Sequence, residues 1–379
     1  MNYSNHKFQD SIPPRYLFPI TRESIYFNHA ATGPLSLPAR RAIEECMDVY
    51  ALQAEFTIDA YFRRVNTARS NVAKLIGAEQ EEITFTHNTS EGLYSALINV
   101  PLRAGDKILV MDEVFPAARY VVDYNIPHIE KQYIPFLGRD PIEVIKANLD
   151  KRVKVVLVDS VQFFSGEAID VKGLSYFLKE NNIYFIVDGI QAIGAMDFSV
   201  RETEIDFLAC GAAKWLFGPS GAGFLYINKH RFNDVKRLHT GWLGANWTSF
   251  ECYDTLPHLF NDARMFEQGT RNIIGISAFS ENIKLLLEFG LENVSQKIGK
   301  LRTELRKIFE ELDYEIITPM NALQSGIVTI RPKDDPKQLF ERFSHENITI
   351  SLRSNCLRFS PHFYNTLEEV EQIFRILKQ

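Results

Sequence analysis

Between residues 83 and 227 the chain alternates short apolar, β-branched runs with amphipathic stretches, and no other feature constrains the fold as strongly. The runs fall at 83–86, 107–111, 153–158, 183–187, 205–209 and 223–227. They are apolar on both faces, so each needs cover on two sides. That predicts an α/β fold: a mostly parallel central sheet flanked by helices. Ligands of such sheets gather outside the carboxyl ends of the strands. Residues 86–90, 111–115, 159–162, 188–191 and 210–214 are therefore where a site is expected.

The flanking regions read differently. Apolar residues recur at helical spacing over 35–52, after the turn Thr32-Gly33-Pro34, and again up to Ile76, just before Gly77. A long helical region follows over 276–312, with Gly290 and Gly299 as expected breaks. Short strands are predicted at 314–317, 326–330, 348–352 and 357–360, then a last helix capped by Asn365 or Thr366. A chain of 379 residues exceeds one simple core. The expected organisation is an N-terminal arm (1–24) packed with a small domain, a large domain (25–275) and a small α+β C-terminal domain (276–379).

Several function classes are disfavoured. The formal net charge is −6 and no long basic run occurs, whereas nucleic-acid binding needs clustered Lys and Arg to neutralise phosphates. Cys46, Cys210, Cys252 and Cys356 are scattered, with no CxxC and no Cys/His cluster, so neither a disulfide scaffold nor a metal site is expected. The first residues have no signal-peptide core, and no stretch of about 18 apolar residues occurs. The expectation is a cytoplasmic protein without a membrane span.

Two charged residues stand out against this apolar background. Asp188 closes the run in VDGIQAIGA, where a carboxylate is costly to desolvate without a partner. Taken alone it reads as a helix cap or a sheet-edge charge. Lys214, in ACGAAKWLFGPSG, follows the next run and is itself followed by Trp, Leu and Phe. A lysine there either snorkels to solvent or is held partly neutral, as Schiff-base lysines must be. Together the two residues match what pyridoxal 5′-phosphate (PLP) requires: a lysine for the aldimine and an acid at the pyridine nitrogen. Gln191, three residues past Asp188, is placed to reach the cofactor's phenolic oxygen. Thr89 and Ser90 stand directly before an amphipathic stretch, where hydroxyls and free amides at a helix start form either an anion seat or a plain cap.

In chain order, YFNHAATGP, THNTSEG, DEVFPAARY, VDGIQAIGA, AAKWLFGP, FEQGTRN and LRFSPHFYNT span nearly the whole sequence. These segments resemble class V of the PLP-dependent aminotransferase superfamily, with its fold-type I architecture. That group includes cysteine desulfurases, selenocysteine lyases, isopenicillin N epimerase-like proteins and kynureninases. The resemblance implies that Lys214 carries the aldimine and moves the proton at Cα, that Asp188 faces the pyridine nitrogen, and that Gln191 faces the phenolic oxygen. Phe115 would stack on the ring, and Thr89 and Ser90 would hold the phosphate. Thr270 would reach the phosphate of a neighbouring subunit, making the active unit a homodimer with a shared site. Arg358 would clamp the substrate carboxylate, a structural salt bridge being the competing reading. Asn28, His29 and Ala30 would line the substrate entrance, with Gln162 near the substrate.

Three departures from the pattern matter. Gly211 and Ala213 stand where relatives carry a hydroxyl and a ring. Residues 338–352 hold no cysteine, so persulfide chemistry is not expected. Phe115 replaces a His over the ring. Trp242, Trp247 and Tyr253 would lie near the entrance and could shape an apolar pocket, although aromatic packing is the favoured reading. The implied activity is aminotransferase-like, on a small amino-acid-like substrate. A lyase or epimerase is the alternative within the group, and a non-catalytic binding module the alternative outside it.

Overall fold

The computed structural model describes residues 15–247, 255–320 and 325–378; Cys252 and Tyr253 lie outside them. Residues 15–22 form short 3-10 turns that lead into β1 (Ile25–Tyr26). Helix α1 (Leu37–Gln53) starts where the Ser36 hydroxyl accepts the Ala39 amide, and α2 (Ile58–Ile76) stops at Gly77. Next come β2 (Ile83–Thr86), α3 (Thr89–Asn99), β3 (Lys107–Met111), α4 (Pro116–Asn125), β4 (Glu130–Ile134), α5 (Pro141–Asn148), β5 (Val153–Asp159), α6 (Val171–Glu180), β6 (Tyr184–Asp188), β7 (Phe207–Gly211) and β8 (Gly223–Ile227).

These strands form a seven-stranded sheet in the order β2-β8-β7-β6-β5-β3-β4. Strands β7, β6, β5, β3 and β4 run parallel, while β8 is antiparallel to both neighbours. The six predicted runs all lie in this sheet. β4 was not predicted, because Glu130–Ile134 mixes charge with apolar residues, as edge strands do. Carboxyl ends of β5, β6 and β7 lie together, with Asp159 and Asp188 opposite each other in the β5–β6 register.

The C-terminal part comprises α7 (Ile273–Phe289), α8 (Leu291–Glu311), β9 (Glu315–Ile316), β10 (Val328–Arg331), α9 (Pro336–His345), β11 (Ile348–Thr349), β12 (Ser351–Arg353), β13 (Cys356–Phe359) and α10 (Leu367–Leu377). Gly290, at φ 92°, separates α7 from α8. Gly299 does not break the helix: α8 runs through it, since the position meets nothing within 4 Å and takes helical angles. The predicted strand at 348–352 is two pieces. Its first half pairs with β1, its second half with β13.

Two buried apolar clusters result. One fills the large sheet and its helices, and includes α7. The other lies between α8, α10 and one face of the four-stranded sheet β12-β13-β10-β9. The arm joins both parts: Phe18 stacks on Tyr364 at 4.2 Å and contacts Phe217, and Arg15 pairs with Glu369 at 2.5 Å.

Candidate active site

The site forms where the last apolar residue of a strand is followed by a polar one. β6 ends in Asp188, 3% exposed, whose Oδ1 accepts the Ile190 amide at 2.9 Å. Burial pushes its carboxyl up to about 6, against the opposing pull of that amide and of Lys214. β7 ends at Gly211, and the chain turns before returning as β8, which leaves half-buried Lys214 over the strand ends. Burial draws the Lys214 ammonium down to about 8; Asp188 opposes this, and Arg358 and Arg353 reinforce it. A partly neutral amine beside a carboxylate is the state a carbonyl-capturing lysine needs.

A cleft of about 240 Å³ brings together Lys214, Asp188, Phe115, Thr89, Ser90 and Gly211. Lys214 Nζ lies 5.4 Å from the centre of the Phe115 ring, and Phe163 meets that ring edge-on at 5.1 Å. At the other end of the cleft α3 begins. The Asn88 side chain takes the Glu91 amide at 2.9 Å, leaving the amides of Thr89 and Ser90 without acceptors inside the helix. The Thr89 hydroxyl accepts the Gly211 amide at 2.9 Å, so its own proton is free to face an anion. A Cβ at position 211 would sit 3.1 Å from Thr89 Oγ1. Thr89 thus crowds the space beside position 211.

These groups fit PLP. Free amides and hydroxyls at a helix start suit a phosphate, Asp188 suits a protonated ring nitrogen, Phe115 offers a ring face, and Lys214 supplies the amine.

Arg358, on β13, is 1% exposed. It donates through Nη1 to the Phe163 carbonyl at 2.5 Å and through Nη2 to Ser351 Oγ at 3.3 Å; its Nε has no partner. No carboxylate among the described residues pairs with it, so the structural salt bridge considered from the sequence is not formed. Burial, then Arg353, lowers its pKa to about 9.

Other expected residues lie aside from the cleft. Gln191 is 2% exposed and its amide is already engaged: it donates to the Ala30 carbonyl at 3.0 Å and accepts from Trp215 Nε1 at 2.8 Å. His29, expected at an entrance, is fully buried. Its ring bonds Ser360 O at 2.8 Å and Tyr364 Oη at 2.7 Å, and burial holds it down at about 3, so it stays neutral. Ala30 is buried, and Asn28 accepts the Ser351 hydroxyl. Gln162 ties its own turn, accepting the Phe164 and Ser165 amides at 2.8 and 2.6 Å. Thr270 is exposed, in neighbouring hollows with Trp242 and Glu91 rather than in the cleft. Cys46, Cys210 and Cys356 are buried, and burial raises the Cys210 thiol.

Asp159 heads one of the expected windows, 159–162, but sequence reasoning gave it no role. It is 3% exposed; Oδ2 accepts the Phe115 amide at 2.9 Å, and Oδ1 has no partner. Burial and then the Asp188 carboxylate raise its pKa well above the usual range, opposed by the Phe115 amide. The signal was present: VVLVD ends in a carboxylate just as YFIVD does. Arg353 was missed as well. It is half-buried, with an Nε that has no partner, and the alternation S-L-R-S-N-C-L-R puts it on the face of Arg358.

The class-V aminotransferase family (Aminotransferase class-V) matches residues 25–373. An uncharacterized aminotransferase, YcbU, of Bacillus subtilis (strain 168) is 25% identical, over 95% of this chain and 96% of its own length. A probable cysteine desulfurase of Pyrococcus abyssi (strain GE5 / Orsay) is 28% identical, over 95% of each chain. The apo structure of a cysteine desulfurase from Thermococcus onnurineus NA1 superposes with TM-score 0.87 at 25% identity, covering 98% of both chains.

Proposed function

The chain belongs to the class-V aminotransferase family, the fold-type I enzymes that use PLP on amino-acid-like substrates, and from that premise we propose that it is a transferase of the substrate's amino group. The observation that carries this reading is the pairing of a lysine drawn down to about 8 with a buried carboxylate, in one cleft that ends at a helix start.

PLP, when bound, supplies an electron sink that eases bond breaking at substrate Cα. The protein's groups do the rest. Amides and hydroxyls of Thr89 and Ser90 hold the phosphate. Asp188 keeps a proton on the ring nitrogen, and Phe115 covers the ring. Lys214 Nζ takes the proton from Cα and returns it elsewhere. Arg358 fixes the substrate carboxylate through charge-assisted bonds and so aligns Cα with Lys214. Gln191 acts from behind, holding Trp215 and the turn at Ala30 in place. Thr270 serves the site of a second subunit in a homodimer, which agrees with its exposed position outside its own cleft. Among the described residues no helix is long and apolar enough to cross a membrane.

Borohydride reduction in the presence of PLP, followed by peptide mass spectrometry, should place the cofactor's mass on Lys214 and nowhere else. An unmodified Lys214 peptide would overturn the reading and favour a non-catalytic module. Amino transfer is then read as one equivalent of 2-oxo acid per site with no free ammonia. Ammonia released in step with the oxo acid would make the protein a lyase. Desulfurase chemistry is not proposed, because Cys356 is buried within β13.

A further inference from the structure

The polar face of the small sheet carries more positive charge than one substrate carboxylate can answer. In the β12–β13 register Ser351 lies opposite Arg358 and Arg353 opposite Cys356. Side chains two residues apart on a strand share a face, so Arg353 and Arg358 are diagonal neighbours, roughly 7–8 Å apart at the backbone. The opposite face, with Leu352, Leu357 and Phe359, is packed into the core. The arginine face turns toward the large sheet: Arg358 bonds the Phe163 carbonyl, and Thr329, its partner across β10, bonds the Phe164 carbonyl at 2.5 Å.

Among the described residues neither arginine meets a carboxylate, and each has a buried Nε with no partner. Both reach the site electrostatically, since each lowers the basicity of Lys214, and Arg353 does the same to Arg358. Lys214 thus feels two arginines from the small sheet, while the carboxylates Asp188 and Asp159 lie on the strand ends of the large one. A buried or half-buried cation without a counter-charge is costly, and a structure that keeps two side by side is built for an incoming anion.

We propose that Arg353 is a specificity residue for a second anionic group, so that the substrate is an acidic amino acid: Arg358 takes the α-carboxylate and Arg353 the side-chain carboxylate or a comparable anion. This rests on the reading of the site as one for amino acids. The diagonal spacing of the arginines suits carboxylates separated by two or three carbons. A neutral substrate of equal size would leave Arg353 desolvated and unpaired, which is how a polar site rejects an analogue.

The test uses the PLP-loaded protein and pairs of equal shape. L-Aspartate is compared with L-asparagine, and L-glutamate with L-glutamine, by the change in cofactor absorbance on titration. Succinate and butyrate, which lack an amino group, are compared by calorimetry, so that binding is read without turnover. The wild type should bind the acidic member of at least one amino-acid pair, and succinate over butyrate, at tenfold or lower concentration. In Arg353→Gln that preference should fall to twofold or less, while the neutral members bind within twofold of wild type.

Equal binding within the pairs by the wild type would overturn the proposal. So would an Arg353→Gln variant that weakens acidic and neutral members alike, because Arg353 would then serve the α-carboxylate. If no amino acid perturbs the bound cofactor at all, the functional reading itself fails, an outcome distinct from lost discrimination.

Discussion

Lys214 and Asp159 show how far the site is set by desolvation. The Lys214 pKa is lowered, from 10.5 to about 8. Between those values the unfolded chain still holds a proton that the folded one has released, so the apoprotein gains stability as pH rises from about 8 to 10.5. The gain is on the order of 3 kcal/mol and should vanish in Lys214→Met, as measured by urea unfolding at several pH values. Asp159 behaves in the opposite sense for an acid. Its raised pKa means that its contribution is present when it is protonated and is lost as pH climbs from 3.8 toward the folded value. Near neutrality, Asp159→Asn should therefore be as stable as wild type or more so, because a neutral amide oxygen still accepts the Phe115 N–H. Asp159→Ala strands that amide and should cost about 1–3 kcal/mol relative to Asp159→Asn. An Asn variant no more stable than the Ala variant would show that the bond to Phe115 contributes nothing.

At the scale of elements, boundaries follow local chemistry wherever the caps are local. Thr366 and Glu369 form a capping box at the start of α10, as the acidic residues after Thr366 suggested. Gly299 is the counter-example. It reads as a helix break, yet α8 passes through it, because α8 is held by Val294, Ile298, Leu301 and Leu305 against the rest of the protein. An exposed mid-helix glycine costs about 0.5–1 kcal/mol relative to alanine. Position 299 has open space around it, so Gly299→Ala should raise the melting temperature by about 1 °C in calorimetry. A fall would mean that the backbone there needs glycine.

On the scale of the whole molecule, the C-terminal sheet delivers Arg358 to strand ends that lie nearly two hundred residues earlier, through its bond to Phe163. The proposed homodimer extends this logic across subunits. If Thr270 donates one charge-assisted hydrogen bond to the partner's phosphate, Thr270→Ala should weaken PLP binding by about 10- to 100-fold. The site's own Lys214 and Asp188 would be untouched, and sedimentation should still give twice the chain mass. Unchanged PLP affinity in a fluorescence titration would remove Thr270 from the site.

Strand positions, the α/β class, the lysine–aspartate pair and the cofactor were legible without coordinates. They depend on short-range facts: apolar runs that must be buried, and charged residues that end them. Which polar side chains reach the cleft was not legible. Gln191, Gln162 and His29 look available in the sequence, but partners from distant segments, Trp215, Glu113 and Tyr364, claim them. Asp159 and Arg353 look ordinary until sheet register sets each beside its counterpart. A side chain's environment is assembled from strands far apart in sequence, so only the tertiary structure decides which hydrogen bonds are already spent and which charges still lack an answer.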